Sequence, residues 1–337
     1  MFKFLLYPLA WFFALLVWLR NAAFRWGIFS VKRLDQPVIS IGNLAMGGTG
    51  KSPVCAALIG ILQERGKRVA LLSRGYGRKN PELCLRVEPD GDWRLCGDEP
   101  LMIARRHAMA RVAVGPSRFA AAMCLPADSV DVFVIDDGFQ HRYLARNFDV
   151  VLIDLTQPWP RMFPLERFRE GWGALKRADL VVLTRWHAGL DTAPWEQKIR
   201  TCNPSLPLLK VGFEPVRLLG LDGSSQPLTF LDRKKIGAFC GIARPEPFFE
   251  SLEALGAIPE VILRLKDHQP MTEPRLKFFA QRCRERGLEV IVTTEKDAVK
   301  LDKNWDFDIL VYFLSIEVKW EDQTSLNSIL DRLLKGS

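Results

Sequence analysis

The chain has 337 residues, 48% hydrophobic and 26% charged, with 47 Lys+Arg against 39 Asp+Glu and a net charge of +8. This is the balance of a folded protein of about two domains, and it excludes a disordered chain, a collagen-like repeat and a polytopic membrane protein. The seven cysteines are odd in number and none lie at C-x-x-C spacing, so reduced thiols fit better than a zinc site or a disulfide framework.

Residues 1–33 carry Lys3, Arg20, Arg25, Lys32 and Arg33 and no acid, which is five of the eight surplus charges. The rest of the chain is only mildly basic, which argues against nucleic acid as a partner. Within this segment Phe4 to Leu19 runs for sixteen residues without a charge, interrupted by Pro8. As a helix the run spans about 24 Å, short of a hydrocarbon core of about 30 Å. Arg and Trp then alternate with apolar residues, as at a lipid headgroup boundary. A cleaved signal peptide and a buried core helix are the competing readings. Arg20 and Asn21 in the cleavage zone count against the first. Membrane association, spanning or monotopic, is the expectation, with the body of the protein on the cytoplasmic side because the positive charge follows the run.

After residue 36 short apolar runs alternate with helices. Strands are predicted at 38–42, 69–73, 112–114, 132–136, 150–154 and 180–184. Helices are predicted at 52–65, 99–108, 117–124 and 171–177. That rhythm predicts an α/β fold, a parallel sheet with helices on both faces. From about 205 the rhythm breaks into short extended pieces around Pro204, Pro207, Pro215 and Gly220–Gly223. A second α/β segment follows, with strands near 236–240, 260–264, 289–293 and 309–314 and helices at 246–255, 273–286 and 322–334. The expected division is an N-terminal membrane helix (1–33), a nucleotide-binding core (34–210) and a smaller C-terminal α/β domain (211–337).

The strongest local signal is VISIGNLAMGGTGKSPVCAALI at 38–59, a strand, a Gly-rich turn and a helix. Gly47, Gly48, Thr49 and Gly50 let backbone N–H groups curl around phosphate oxygens. Lys51 reaches the β- and γ-phosphates, and the Ser52 hydroxyl is placed for Mg²⁺. The strict pattern G-x-x-x-x-G-K-[ST] has Ala45 at its first glycine. A second signal, VFVIDDGFQHR at 132–142, ends a strand in two carboxylates, where Asp136 suits Mg²⁺ as a Walker-B Asp does. Both signals lie at strand C-termini, the edge at which open α/β sheets bind ligands. ATP and Mg²⁺ are the cofactors this predicts. Thr184-Arg185-Trp186 lacks the Lys and Asp of a guanine-specific loop, which disfavours a GTPase. Met46 stands where partition-type membrane ATPases carry an extra lysine.

GNLAMGGTGKSP, LSRGYGRK at 72–79, GDEP at 97–100, DDGFQHR at 136–142 and TTEKDAVKL at 293–301, in this order along the chain, resemble the tetraacyldisaccharide 4′-kinase family. The apolar N-terminal run is similar to that family's membrane helix. The resemblance implies a P-loop NTPase-like fold and ATP-dependent phosphorylation of the 4′-hydroxyl of an acylated disaccharide 1-phosphate lipid, giving lipid IVA at the cytoplasmic face of the inner membrane; a monomer is expected. A kinase for another membrane lipid and a membrane-tethered ATPase switch are the alternatives.

The resemblance also implies residue roles. Asp98 becomes the base that takes the sugar proton, where the residues alone read it as a helix N-cap. His268 becomes its partner, which requires the C-terminal segment to close over the phosphate loop. Asp137 becomes an orienter or alternative base. Glu170 joins Ser52 and Asp136 as a metal candidate. Asn21, Ser73, Arg74, Tyr76, Arg118, Gln140 and His141 become candidates for contact with the lipid substrate. TTEKDAVKL has no chemistry attached to it.

Overall fold

The computed structural model describes residues 6–157, 162–302, 304–305 and 308–335. Phe4 and Leu5, the first residues of the apolar run, lie outside them. The chain begins with helix α1 (Leu6–Arg25). Its described length of 20 residues corresponds to about 30 Å. Pro8 falls in its first turn, where a missing N–H breaks no helical bond.

The first half contains β1 (Val38–Asn43), α2 (Lys51–Glu64), β2 (Val69–Ser73), β3 (Leu85–Val87), α3 (Trp93–Cys96), α4 (Asp98–Arg106), β4 (Arg111–Val114), α5 (Arg118–Met123), β5 (Val132–Asp136), β6 (Phe148–Asp154), β7 (Leu180–Thr184) and α6 (Ala193–Cys202). The expected strands all form, because each is apolar on both faces and is covered on both. On one face α2, α4 and the last helix of the chain pack on the sheet; on the other, α5, α6 and a short 3₁₀ turn at 172–177 do so. That 3₁₀ turn stands where a helix at 171–177 was expected. Helix α6 was not anticipated, since its sequence APWEQKIRTC is polar and buries only Trp195 and Ile199.

The remainder comprises β8 (Leu208–Gly220), β9 (Ser225–Gln226), β10 (Lys235–Cys240), α7 (Glu246–Ala254), β11 (Ile258–Arg264), α8 (Glu273–Arg284), β12 (Val290–Thr294), α9 (Glu295–Ala298), β13 (Leu310–Trp320) and α10 (Gln323–Lys335). The short extended pieces expected after 205 are one strand of 13 residues, β8. Pro215 fits within it because the ladder shifts register opposite, between Ser315 and Ile316, and a bulge spares the N–H that proline lacks.

All strands but β9, which pairs with β8, join one continuous sheet in the order β11-β10-β12-β13-β8-β7-β6-β1-β5-β2-β4-β3. It is mixed rather than all parallel. β3 runs antiparallel at the edge, and β8 and β13 pair antiparallel in the middle. This central ribbon decides where the site lies. β7 ends at Thr184, beside Val211 of β8, and β12 ends at Thr294, beside Leu314 of β13. Leu314 pairs with Leu218, and Val211 with Trp320. The carboxyl edges of the two parallel blocks therefore face each other along the ribbon. The seven residue-to-residue steps from Val211 to Leu218 set them about 23 Å apart at roughly 3.3 Å per step.

The expected boundary at 210/211 falls inside β8. Helix α10 returns across the ribbon: Leu326, Ile329 and Leu330 are buried in the cluster of α2, and Asn327 Oδ1 accepts from Arg65 at 2.7 Å.

Candidate active site

The loop after β1 is shaped by its neighbours on both sides. Met46 N donates to Arg167 O at 2.8 Å and Arg169 N to Leu44 O at 2.7 Å, so residues 44–46 are zipped to 167–169. Ala45 forms a bridge with Phe168 in this zipper and is buried. That pairing accounts for the missing first glycine, because the position is extended and packed. Gly50 has φ +85°, and a Cβ there would lie 2.3 Å from the Phe213 ring of β8. The Thr49 hydroxyl accepts from Asn43 Nδ2 at 2.8 Å, and Thr49 O accepts from Thr184 Oγ1 at 2.9 Å. Thr49 therefore braces the loop through its side chain. Helix α2 starts at Lys51 with no side-chain cap, so its first N–H groups remain open to an anion. Lys51 Nζ lies 3.5 Å from Asp137 Oδ1.

Ser52, Glu99 and Asp136 line one small cavity with Cys55, Leu71, Pro100 and Ile103. Asp136 Oδ1 is buried there without a hydrogen-bond partner. Burial, then Glu99 and Asp137, push this carboxyl up to about 7 against the pull of Lys51 and Arg118. An orphaned buried carboxylate oxygen facing a hydroxyl fits a bound cation. Glu170 lies elsewhere. It is 1% exposed, and its Oε2 accepts from Asn21 Nδ2 at 3.1 Å and Arg177 Nη1 at 2.9 Å. The structure joins Glu170 to α1 rather than to Ser52 and Asp136.

Asp137 takes a left-handed backbone, φ +49°, and its carboxylate accepts twice from Arg169 Nη1, at 2.8 and 3.0 Å. Burial works against ionisation, but Lys51 and Arg169 outweigh it and hold Asp137 below the usual carboxylate range. Phe139 anchors the same loop. Its side chain is fully buried beneath Gly42, where a Cβ would come within 2.6 Å of it.

The Arg-Gly-Tyr-Gly and Gly-Asp-Glu-Pro motifs meet backbone to backbone. Gly97 has φ +92°, and a Cβ there would lie 2.8 Å from the Gly75 Cα. This contact places Asp98 at the first position of α4, capped by Gly97, so the N-cap expected of Asp98 alone belongs to its neighbour. Asp98 Oδ1 accepts from Glu99 N at 2.9 Å. Across the cleft His268 Nδ1 lies 2.9 Å from Asp98 Oδ2. His268 is held in a left-handed conformation, φ +60°, and its N donates to Gly241 O at 3.1 Å. Strained backbone of this kind persists where surrounding structure over-determines it. Burial raises the Asp98 carboxyl, but His268, Lys296 and Lys300 together bring it below its ordinary value.

The substrate candidates divide. Arg118 is buried and donates to Asp136 O at 2.6 Å, and desolvation lowers its guanidinium to about 10. The Ser73 hydroxyl accepts from Gly75 N at 3.3 Å and so shapes the turn. Tyr76 is exposed and its ring centre lies 5.0 Å from that of His268. Gln140 Nε2 donates to Asn43 O at 2.9 Å, and Gln140 O accepts from Arg20. His141 is buried, and burial followed by Arg118 and Arg74 lowers it to about 4. Asn21 Oδ1 accepts from Arg142 at 3.3 Å. The last turn of α1 is thus bonded to the loop that follows β5. Arg74 leaves β2 at the same edge, exposed.

Sequence reasoning missed Glu99, Lys296 and Lys300, although each lies inside a quoted motif, and Arg169, the neighbour of Glu170. It also missed a second tie between the halves. Asp154 at the end of β6 accepts from Arg185 at 3.1 Å and from Arg244, in the turn after β10, at 2.6 Å.

Residues 2–335 match the family model of tetraacyldisaccharide-1-P 4′-kinase. A tetraacyldisaccharide 4′-kinase of Geobacter metallireducens is 37% identical over 330 residues, covering 96% of this chain and 95% of that one. One from Syntrophus aciditrophicus is 35% identical over 351 residues, covering 99% and 94%. A crystal structure of the "apo" form of LpxK from Aquifex aeolicus in complex with ATP superposes with a TM-score of 0.78 at 28% identity, covering 99% of this chain and 100% of that one.

Proposed function

The chain belongs to the tetraacyldisaccharide-1-P 4′-kinase family, and from that premise we propose how its residues divide the work. The protein is an ATP-dependent kinase of lipid A biosynthesis. It phosphorylates the 4′-hydroxyl of tetraacyldisaccharide 1-phosphate to give lipid IVA. One observation carries the assignment of roles: Asp98, adjacent to the cavity of Ser52 and Asp136, is bonded at 2.9 Å to His268 from the opposing block.

In this reading Lys51 and the open N–H groups of α2 hold the β- and γ-phosphates. Ser52 and Asp136 hold Mg²⁺, which when bound neutralises charge on the phosphate oxygens. Asp98 accepts the proton of the 4′-hydroxyl, and its depressed acidity keeps it ionised for that task. His268 orients Asp98. Asp137 positions Lys51, and Arg169 holds Asp137. Arg118 supports the end of β5 from behind by binding its last carbonyl. Arg74, Tyr76, Gln140 and His141 line the approach of the sugar, while Asn21 and Glu170 connect that approach to α1. Ser73 shapes the adjoining turn.

Helix α1 associates with the membrane and the two blocks work on its cytoplasmic side, as a monomer. The exposed tryptophans of α1 support this: Trp11 is 76% exposed and Trp18 52%. The C-terminal block closes the site over the phosphate loop. The deciding assay is transfer of labelled γ-phosphate from ATP to tetraacyldisaccharide 1-phosphate in micelles. A phosphorylated lipid that disappears in Lys51→Ala is the expected result. Free phosphate alone would move another lipid kinase or a tethered ATPase ahead.

A further inference from the structure

The motif TTEKDAVKL ends β12 and forms α9, at the carboxyl edge of the C-terminal block. Its two threonines and its Asp build the support. Thr293 Oγ1 donates to Phe239 O at 2.9 Å, and Thr294 Oγ1 donates to Asp297 Oδ2 at 2.7 Å. The same Asp297 oxygen accepts from Gly241 N at 2.7 Å. The turn that positions His268 through Gly241 O is therefore locked to α9.

Its two lysines cross the cleft. Lys300 is 3% exposed, pairs with Asp297 Oδ1 at 2.7 Å and reaches to 3.9 Å from Asp98 Oδ2. Lys296 Nζ lies 3.1 Å from Glu99 Oε1 and 3.2 Å from His268 Nε2. An ammonium has three donors and no lone pair, so towards an imidazole nitrogen it can only donate. Nε2 is then the acceptor, and the ring proton sits on Nδ1, the nitrogen that faces Asp98. Burial opposes the charge on Lys296, but Glu99, Asp98 and Asp267 outweigh it and keep the side chain firmly protonated.

We propose that Lys296 is a positioning residue that locks His268 in the Nδ1–H tautomer, so that the imidazole donates to Asp98 and holds it for proton abstraction. The proposal rests on the reading of Asp98 as the base. The opposite tautomer would turn a lone pair on Nδ1 against a carboxylate 2.9 Å away and push Asp98 out of place. By bonding Glu99 as well, the same ammonium aligns two consecutive residues of α4 with the opposing block. The charged and titratable groups facing the ring are Asp98, Lys296 and Asp267, with Lys300, Asp297 and Glu99 behind them and Tyr76 over its face.

The test uses the full chain in micelles with ¹⁵N-labelled histidine, the His268 signals being assigned by their loss in His268→Gln. The wild-type protein should show His268 protonated at Nδ1, and Lys296→Met should shift the population towards Nε2–H. A wild-type ring protonated at Nε2, or a tautomer unchanged in Lys296→Met, overturns the proposal without reference to any variant's activity. A double-mutant cycle on phosphate transfer reads the consequence. Lys296→Met should lower kcat by about 10-fold or more, with KM for ATP unchanged, but by less than about 2-fold when His268→Gln is already present. Equal losses on both backgrounds would show that Lys296 acts independently of His268 and refute the mechanism. Absence of transfer in the wild type would sink the kinase reading instead, while the tautomer measurement still decides the role of Lys296.

Discussion

Replacing Asp98 by Asn removes the proposed base while keeping its shape. The amide oxygen still accepts from Glu99 N, a bond of 2.9 Å in the native protein, while the contact of the second carboxylate oxygen with the His268 ring, also 2.9 Å, is given up. The two lysines nearby stay matched, Lys300 by Asp297 at 2.7 Å and Lys296 by Glu99 at 3.1 Å. The fold should therefore lose little, about 1–2 kcal/mol from weaker charged hydrogen bonds. Chemistry should lose far more. A positioned general base is worth about 10²–10⁴-fold, or about 3–5 kcal/mol of barrier. Steady-state transfer in micelles, with ATP and lipid varied separately, should show kcat reduced by that factor and KM for ATP within about 2-fold of the wild type. A variant that keeps more than a tenth of the native kcat, or that loses ATP binding in step with turnover, would refute Asp98 as the base. The pH profile sharpens the test. Asp98 is held below its ordinary value, so it stays ionised as pH falls from 7 to 5, and any acid limb in that interval belongs to another group.

Asp136 carries the opposite sign. Its carboxyl is raised to about 7, so the free protein carries a costly buried anion above pH 7 and a neutral acid well below it. Asp136→Asn should raise the melting temperature of the metal-free protein at pH 8, and the gain should shrink as pH falls below 7 and vanish near pH 4; the same increment at pH 8 and pH 4 would contradict the assignment. Arg177→Met leaves Glu170, at 1% exposure, without its cation, and should cost about 3–5 kcal/mol in denaturant unfolding. Adding Glu170→Gln should restore much of that loss; no restoration would mean that Arg177 acts through packing alone, over the Phe139 ring. Trp11→Ser with Trp18→Ser should reduce partition into vesicles and raise KM for the micellar lipid while kcat and melting temperature hold, measured by co-sedimentation and turnover; unchanged partition would remove α1 as the membrane contact.

The phosphate loop and the end of β5 were legible because strand, glycine turn and helix are consecutive, so the chemistry of the motif and its local geometry coincide. The β-strands were legible for a similar reason, each being a short apolar run between breakers. What remained hidden depends on pairing across long separations. β8 reads as fragments because Gly212 and Pro215 punctuate it, and only a bulge at Val216, set by pairing with β13 a hundred residues later, lets it continue. Glu170 reads as a free acid until Asn21 and Arg177 are brought to it. Lys296 and Lys300 have the spacing of one helical face, yet nothing local says that the face meets Asp98 and Glu99. Helix α6 escaped notice because its propensity is ordinary and its apolar stripe is two residues wide.

The antiparallel ribbon has a consequence for how the chain is organised as a modular object. Gly220 and Tyr312 are paired neighbours, so the chain departs along β8 and comes back along β13 at the same point. Everything between them, including His268 and both cleft lysines, is topologically an enlarged hairpin loop, and α10 completes the nucleotide-binding half after the return. The glycine-rich loop and α1 thus belong to a unit interrupted between Gly220 and Tyr312, and His268, the partner of Asp98, is carried on the insert. Such an arrangement lets the surroundings of His268 be altered within one uninterrupted stretch of sequence, while Asp98 and the residues that line the approach of the sugar stay on the nucleotide side.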